Sequence, residues 1–218
     1  MTKIILTLIL FNCFPMMAAE TTQKNILILG DSISAGYGVA PEEAYPSLLQ
    51  DKIDQAGLPW HVINAGVSGD TSAGGLGRID WLLRQKVDVL LLELGGNDGL
   101  RGLSPESTEK NLQAIINKTR SKYPEVKILI AGMRMPASMG VEYTRRFEET
   151  FSNVAQKNKT AFLPFLLEGI AGKPELNQPD RIHPTPAGHK VVAENVWKVL
   201  KPLLEQGARV SALSAGPK

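Results

Sequence analysis

The sequence predicts an α/β fold of three layers, α/β/α, around a five-stranded parallel sheet in the order 2-1-3-4-5. Three observations lead there. The unbroken apolar run 26–29 has the pattern of a strand buried on both faces, and the largely apolar stretch 87–94 reads as a second buried strand. Segments with helical apolar spacing separate these runs, and strands alternating with helices build a parallel, doubly wound sheet. Two runs stop abruptly, at Gly30-Asp31-Ser32 and at Gly95-Gly96-Asn97-Asp98, and such strand ends are where open α/β sheets place their ligands. With 218 residues and neither a repeat nor a linker, one domain is expected.

Residues 1–19 read as a secretory signal peptide preceding the fold. Lys3 gives a positive start, residues 4–11 are almost wholly apolar, and Met17-Ala18-Ala19 places small residues before Glu20. The stretch is too short to span a bilayer core of about 30 Å as a helix. An exported protein, periplasmic or secreted after cleavage near Ala19, is therefore expected. Cys13, the only cysteine, falls inside the signal, which leaves the mature chain without a thiol nucleophile, a disulfide or a thiolate metal site. The domain occupies 20–206, and 207–218 reads as a flexible polar tail.

Within the domain, strand one is 26–29. Leu49, Ile53 and Ala56 mark a helix over 44–56, closed by Gly57. Residues 61–64 form a short second strand, and the Gly-, Ser- and Thr-rich stretch 65–77 reads as a loop followed by a short helix at 79–83. The third strand is 87–94. Ser104-Pro105-Glu106 starts a helix whose core face is Leu112, Ile115 and Ile116. Strand four is 127–131, 132–140 a loop, 141–156 a helix, and 161–163 a short fifth strand. A long Pro-rich stretch, 164–186, leads to a last helix capped by Thr185-Pro186, with Val192, Val196, Val199 and Leu203 as its apolar face. This flavodoxin-like order puts the switch point between strands one and three, with Ser32 beside Asn97 at one rim.

The turn at Ser32 excludes two nucleotide motifs. A phosphate loop needs G-x-x-x-x-G-K-[ST], and no Lys follows Gly36; a dinucleotide fingerprint needs G-x-G-x-x-G, and Val39, Ala40 and Pro41 follow Gly36-Tyr37-Gly38. Nor is it the G-x-S-x-G elbow, since Ser34 stands at the second Gly position. A formal charge of +2 gives no reason to expect nucleic acid or an anionic membrane. What remains is a nucleophilic serine or a plain turn. Of the three histidines, His61 starts a strand at the far end of the sheet and His189 reads as a solvated helix position. His183, in Asp180-Arg181-Ile182-His183-Pro184, can reach the rim, with Asp180 accepting from one ring nitrogen and the other free for the Ser32 proton. Gly69, Asn97 and the Ser32 backbone N–H are candidate donors to an oxyanion, with a hinge and a turn as the plain readings of Gly69 and Asn97.

Four blocks, Gly30-Asp-Ser-Ile-Ser34, Asn64-Ala-Gly-Val-Ser-Gly-Asp-Thr71, Gly95-Gly-Asn-Asp98 and Asp180-Arg-Ile-His183-Pro184, resemble in order those of the SGNH (GDSL) hydrolase superfamily. Residues 92–102 look most like its bacterial thioesterase, lysophospholipase and arylesterase branch. The resemblance covers roughly residues 25–200 and implies a serine hydrolase of carboxylic esters or thioesters. It implies Ser32 as nucleophile, His183 as base, Asp180 as its partner, and Ser32, Gly69 and Asn97 as the oxyanion hole. Ile33 replaces a common Leu, a conservative change. Leu100, Met133, Met135 and Pro136 are candidate substrate contacts, Met also being a core filler, and Arg101 or Arg134 a candidate contact for a phosphate-bearing substrate. No cofactor or metal is expected. The expected partner is a small acyl ester or thioester, with no nucleic acid and no stable membrane anchor, and the chain is expected to be a monomer. A carbohydrate-ester deacetylase and a non-catalytic module binding acyl lipid or glycan are the alternatives.

Overall fold

The computed structural model describes residues 23–214, and side-chain surroundings for 23–205. The signal reading of 1–19 and Cys13 lie outside the described residues. The sheet has five parallel strands, β1 (Lys24–Gly30), β2 (Trp60–Gly66), β3 (Val89–Glu93), β4 (Lys127–Ala131) and β5 (Ala161–Leu163), in the order β2-β1-β3-β4-β5. Ile26 to Leu29 and Val89 to Leu91 have no solvent exposure, as unbroken apolar runs require of a central strand. The register levels the working edge of the sheet: Gly30 pairs with Gly66 on one side and with Glu93 on the other.

Helices α2 (Tyr45–Gln55) and α7 (Pro186–Ser214) pack against each other on one face. On the other lie α3 (Ser72–Leu82), α5 (Pro105–Lys122) and α6 (Val141–Asn158). Leu49 and Ile53 of α2, and Leu112, Ile115 and Ile116 of α5, are fully buried as their spacing predicts. Two single-turn helices, α1 (Ser32–Ala35) and α4 (Gly96–Leu100), follow β1 and β3 directly. No helix among the described residues is long and apolar enough to cross a membrane.

The structure departs from the sequence reading in four places. The stretch read as a loop over 65–77 is already helix from Ser72, because the Thr71 hydroxyl caps it by accepting the Gly74 N–H at 3.2 Å. Gly75 is tolerated there by contact: a Cβ would meet Leu94 Cδ1 at 2.2 Å. The buried stripe of α7 is Val192, Ala193, Val196, Leu200 and Leu204, with Val199 and Leu203 only partly covered. That helix also continues to Ser214, through a stretch containing the good helix formers Ala208, Arg209 and Ala212, whereas the sequence suggests a tail from 207. Finally, His189 is buried, not solvated. Its Nδ1 accepts the Tyr45 N–H at 3.2 Å, an orphan donor of the first turn of α2, and its ring stacks on Tyr45.

Candidate active site

Ser32 is set by the turn that ends β1. Asp31 caps α1, its Oδ1 accepting the Ile33 N–H at 3.0 Å, so the chain leaves the strand and turns within two residues. Gly30 makes this possible, since a Cβ there would lie 2.1 Å from Ser34 Oγ and 2.3 Å from Glu93 Oε2. Ser32 remains 9% exposed at the mouth of a cleft.

His183 reaches Ser32 across the rim, with Nε2 2.8 Å from Ser32 Oγ. Its Nδ1 is 2.7 Å from Asp180 Oδ2. The other carboxylate oxygen, Oδ1, accepts the Ile182 and His183 backbone N–H groups at 2.9 and 3.0 Å. Partial burial pushes the Asp180 carboxyl up, but these bonds and the His183 ring outweigh it and hold it at about 2. An ionised carboxylate only accepts, so Nδ1 carries the hydrogen and Nε2 presents a lone pair to Ser32. The tight loop needs Arg181 at φ +61°, and the ring of Tyr37 lies 4.6 Å from the His183 imidazole.

Asn97 stands in the first turn of α4. Its Nδ2 donates to Asp70 O at 2.9 Å and to Asp31 Oδ2 at 3.2 Å, joining the loops after β1, β2 and β3. Gly95 turns the chain into α4 at φ +116°, where a Cβ would strike the Phe151 ring at 2.9 Å. Gly69, at φ +80°, is exposed on the adjoining loop and its carbonyl accepts from Arg101 Nη2 at 3.0 Å. Gly69 is thus one residue from Asn97's partner Asp70, at the rim and not in the lining of the cleft.

The cleft has a volume of about 610 Å³. Ser32, Asn97 and His183 line it together with the expected Leu100, Met133, Met135 and Pro136. Met133 is almost fully buried and belongs to both the core and the cleft wall, while Met135 packs its sulfur against Gly99. Arg134 also lines the cleft, but its guanidinium is engaged by Glu148 and Glu168 and lies 4.8 Å from the Phe165 ring, which leaves it poorly placed for a free phosphate. Phe165, Leu167 and Ala171 complete the apolar wall. They come from the long Pro-rich stretch, whose irregular spacing carries no period to mark them. Gly132 brings that wall near, since its N–H donates to Leu163 O at 2.8 Å and a Cβ would meet Pro164 O at 2.3 Å.

Below Ser32 lies a buried polar cluster that residue patterns do not reveal. Glu93, at the end of β3, accepts the Asp31 N–H at 3.1 Å and the Ser34 hydroxyl at 2.5 Å, and Ser34 also meets the Tyr45 hydroxyl at 2.7 Å. Burial, then the neighbouring Asp31, raises the Glu93 carboxyl well above its ordinary value, and burial raises Asp31 to about 6. Among the described residues, no three His, Cys, Asp or Glu side chains converge in a metal-holding arrangement.

Residues 28–191 match the GDSL-like Lipase/Acylhydrolase family. The chain is 40% identical over 200 residues to esterase TesA of Pseudomonas aeruginosa, covering 90% of this chain and 98% of that one. It is 39% identical over 192 residues to thioesterase 1/protease 1/lysophospholipase L1 of Escherichia coli K12, covering 88% of each. The crystal structure of TesA superposes with a TM-score of 0.80 at 42% identity, covering 83% of this chain and all of the other.

Proposed function

Because the chain belongs to the GDSL-like lipase/acylhydrolase family and is a hydrolase of ester bonds, we propose that it cleaves acyl esters and thioesters through an acyl-enzyme on Ser32. One observation carries this reading: the Asp180–His183–Ser32 hydrogen-bond chain ends at the mouth of an apolar cleft. As His183 Nε2 takes the hydroxyl proton, Ser32 Oγ bonds to the substrate carbonyl carbon and the carbonyl oxygen becomes an oxyanion. Asp180 holds the ring tautomer and offsets the imidazolium charge. Asn97 and the Ser32 and Gly69 backbone N–H groups supply donors to the oxyanion, each such donor contributing on the order of 3 kcal/mol. Of Asn97's two contacts, the longer one to Asp31, at 3.2 Å, is the one that yields to substrate. Collapse breaks the bond to the leaving oxygen or sulfur, which takes the proton from Nε2. Water, deprotonated in turn by His183, then attacks the acyl carbon and releases Ser32.

The acyl group lies against Met133, Met135, Leu167 and Phe165. At about 610 Å³ the cleft is of ordinary ligand size, and apolar walls favour fatty-acyl over acetyl groups. The leader-like features at Lys3, residues 4–11 and Ala19 support export, which mass spectrometry of the mature N-terminus tests. Hydrolysis of p-nitrophenyl esters from acetyl to palmitoyl, with wild type and Ser32→Ala side by side, tests the activity. Turnover lost in the variant, with an optimum beyond acetyl, is expected. An acetyl optimum points to a deacetylase, and activity surviving in Ser32→Ala overturns the mechanism.

A further inference from the structure

His183 and Ser32 sit on loops that leave different strands, and the 2.8 Å contact between them is only as constant as the join between those loops. Three observations locate that join in one side chain, Gln178. First, its Nε2 donates to Tyr37 O at 2.7 Å and to Pro184 O at 3.0 Å, and its backbone N–H donates to His183 O at 2.7 Å. Second, Tyr37 is bonded directly back to the nucleophile, its N–H donating to Ser32 O at 3.0 Å, and its ring rests on the His183 imidazole. Third, the chain makes room for the amide: Gly38 has φ +76° and a Cβ there would lie 2.3 Å from Gln178 Oε1. One unbroken path therefore runs from Ser32 through Tyr37 and Gln178 to both residues at the base of the His183 loop.

We propose that Gln178 is a positioning residue that clasps the nucleophile turn to the histidine loop and holds the Ser32–His183 distance. The proposal rests on the reading of Ser32 and His183 as nucleophile and base. An amide is suited to this task because its NH2 group has two hydrogens, one for each carbonyl, and carries no charge to desolvate. An isosteric carboxylate faces the same two carbonyls with acceptors only, and Met fills the space with neither.

The test compares wild type, Gln178→Met, Gln178→Glu and Ser32→Ala on p-nitrophenyl butyrate, with the rate of Ser32 phosphorylation by diethyl p-nitrophenyl phosphate as a second readout. Loosening two reacting groups by an ångström lowers rates by up to about 10²-fold. Both Gln178 variants are therefore expected to lose about 10- to 100-fold in kcat and in the phosphorylation rate, with KM within about twofold because the acyl wall is untouched. Wild-type kcat in both variants overturns the clasp, as does a loss confined to KM. If both variants are unfolded in a thermal melt, Gln178 serves stability alone and the proposal falls. The underlying reading fails separately, by activity in Ser32→Ala.

Discussion

Glu93 and Asp31 are bonded beneath the nucleophile, the buried Glu93 carboxyl accepting the Asp31 backbone N–H at 3.1 Å. Burial disfavours the charged form of both acids, and Asp31 raises Glu93 further, so the fold holds protons that an unfolded chain gives up. Glu93 keeps its proton above its ordinary value of 4.5, and Asp31 keeps its own from 3.8 to about 6. Over those ranges the folded state binds more protons than the unfolded one, and stability falls as pH rises. For Asp31 the loss amounts to about 3 kcal/mol by neutral pH. Glu93→Gln, uncharged at every pH, is expected to gain on wild type between pH 4 and 8 in urea unfolding. Parallel curves would show that Glu93 is not protonated in the fold.

His189 acts in the opposite direction. Burial lowers its imidazole from 6.5 to about 4, so the unfolded chain takes up a proton that the folded one refuses. Stability is full above pH 6.5 and declines toward pH 4, by about 3 kcal/mol. In His189→Phe that acid decline should vanish, while the Tyr45 N–H loses its acceptor and stability at neutral pH falls by about 1–2 kcal/mol. The wild-type advantage, followed by denaturant midpoint across this range, must shrink as pH falls and reverse toward pH 4.

Removal of the Ser32 hydroxyl abolishes acyl transfer, and Ser32→Ala should retain less than about 10⁻³ of wild-type kcat. Asp180→Asn keeps the side chain's size but withdraws the charge that fixes the His183 tautomer. A loss on the order of 10²–10⁴ in kcat is expected, with a smaller effect on melting temperature since the Asn Oδ1 can still accept the Ile182 and His183 N–H groups. Equal loss of stability and activity would mean that Asp180 only organises its loop.

Leu167, half-buried on the cleft wall, sets how much chain the site covers. Leu167→Trp fills part of the acyl path. Each methylene kept from burial costs about 0.8 kcal/mol, so losing three or four reduces kcat/KM by about 50- to 200-fold on decanoyl esters. Acetyl ester hydrolysis should change by less than about twofold. An unchanged chain-length profile would place the acyl group elsewhere.

The strand order and the rim are legible because each is written locally, in apolar runs and abrupt Gly turns. The D-x-x-H spacing of Asp180 and His183 is weak by itself, and their pairing with Ser32 is expected only from the resemblance of the four blocks. The sequence suggests a solvated His189 because its surroundings are not its sequence neighbours; Tyr45, 144 residues away, supplies the N–H that its ring accepts in the interior. The helix over Ser72–Leu82 is masked in the sequence by its glycines, of which Gly75 is explained only by the Leu94 side chain just beyond β3. Glu93 reads as one polar residue closing an apolar run, and only the register against Gly30 turns it into the floor of the site. Phe165, Leu167 and Gln178 lie in a stretch without periodicity, where the sequence predicts a loop and no particular contact.

The Ser32–His183 hydrogen bond spans 151 residues of chain. A polypeptide made from its N-terminus carries the serine long before the histidine exists, and the last helix, which anchors the histidine loop, comes later still. Until that C-terminal segment docks, Ser32 is an ordinary alcohol with no base beside it. Reactivity therefore arrives last, at the completion of folding, and a nascent or C-terminally shortened chain cannot hydrolyse the acyl groups it meets on the way.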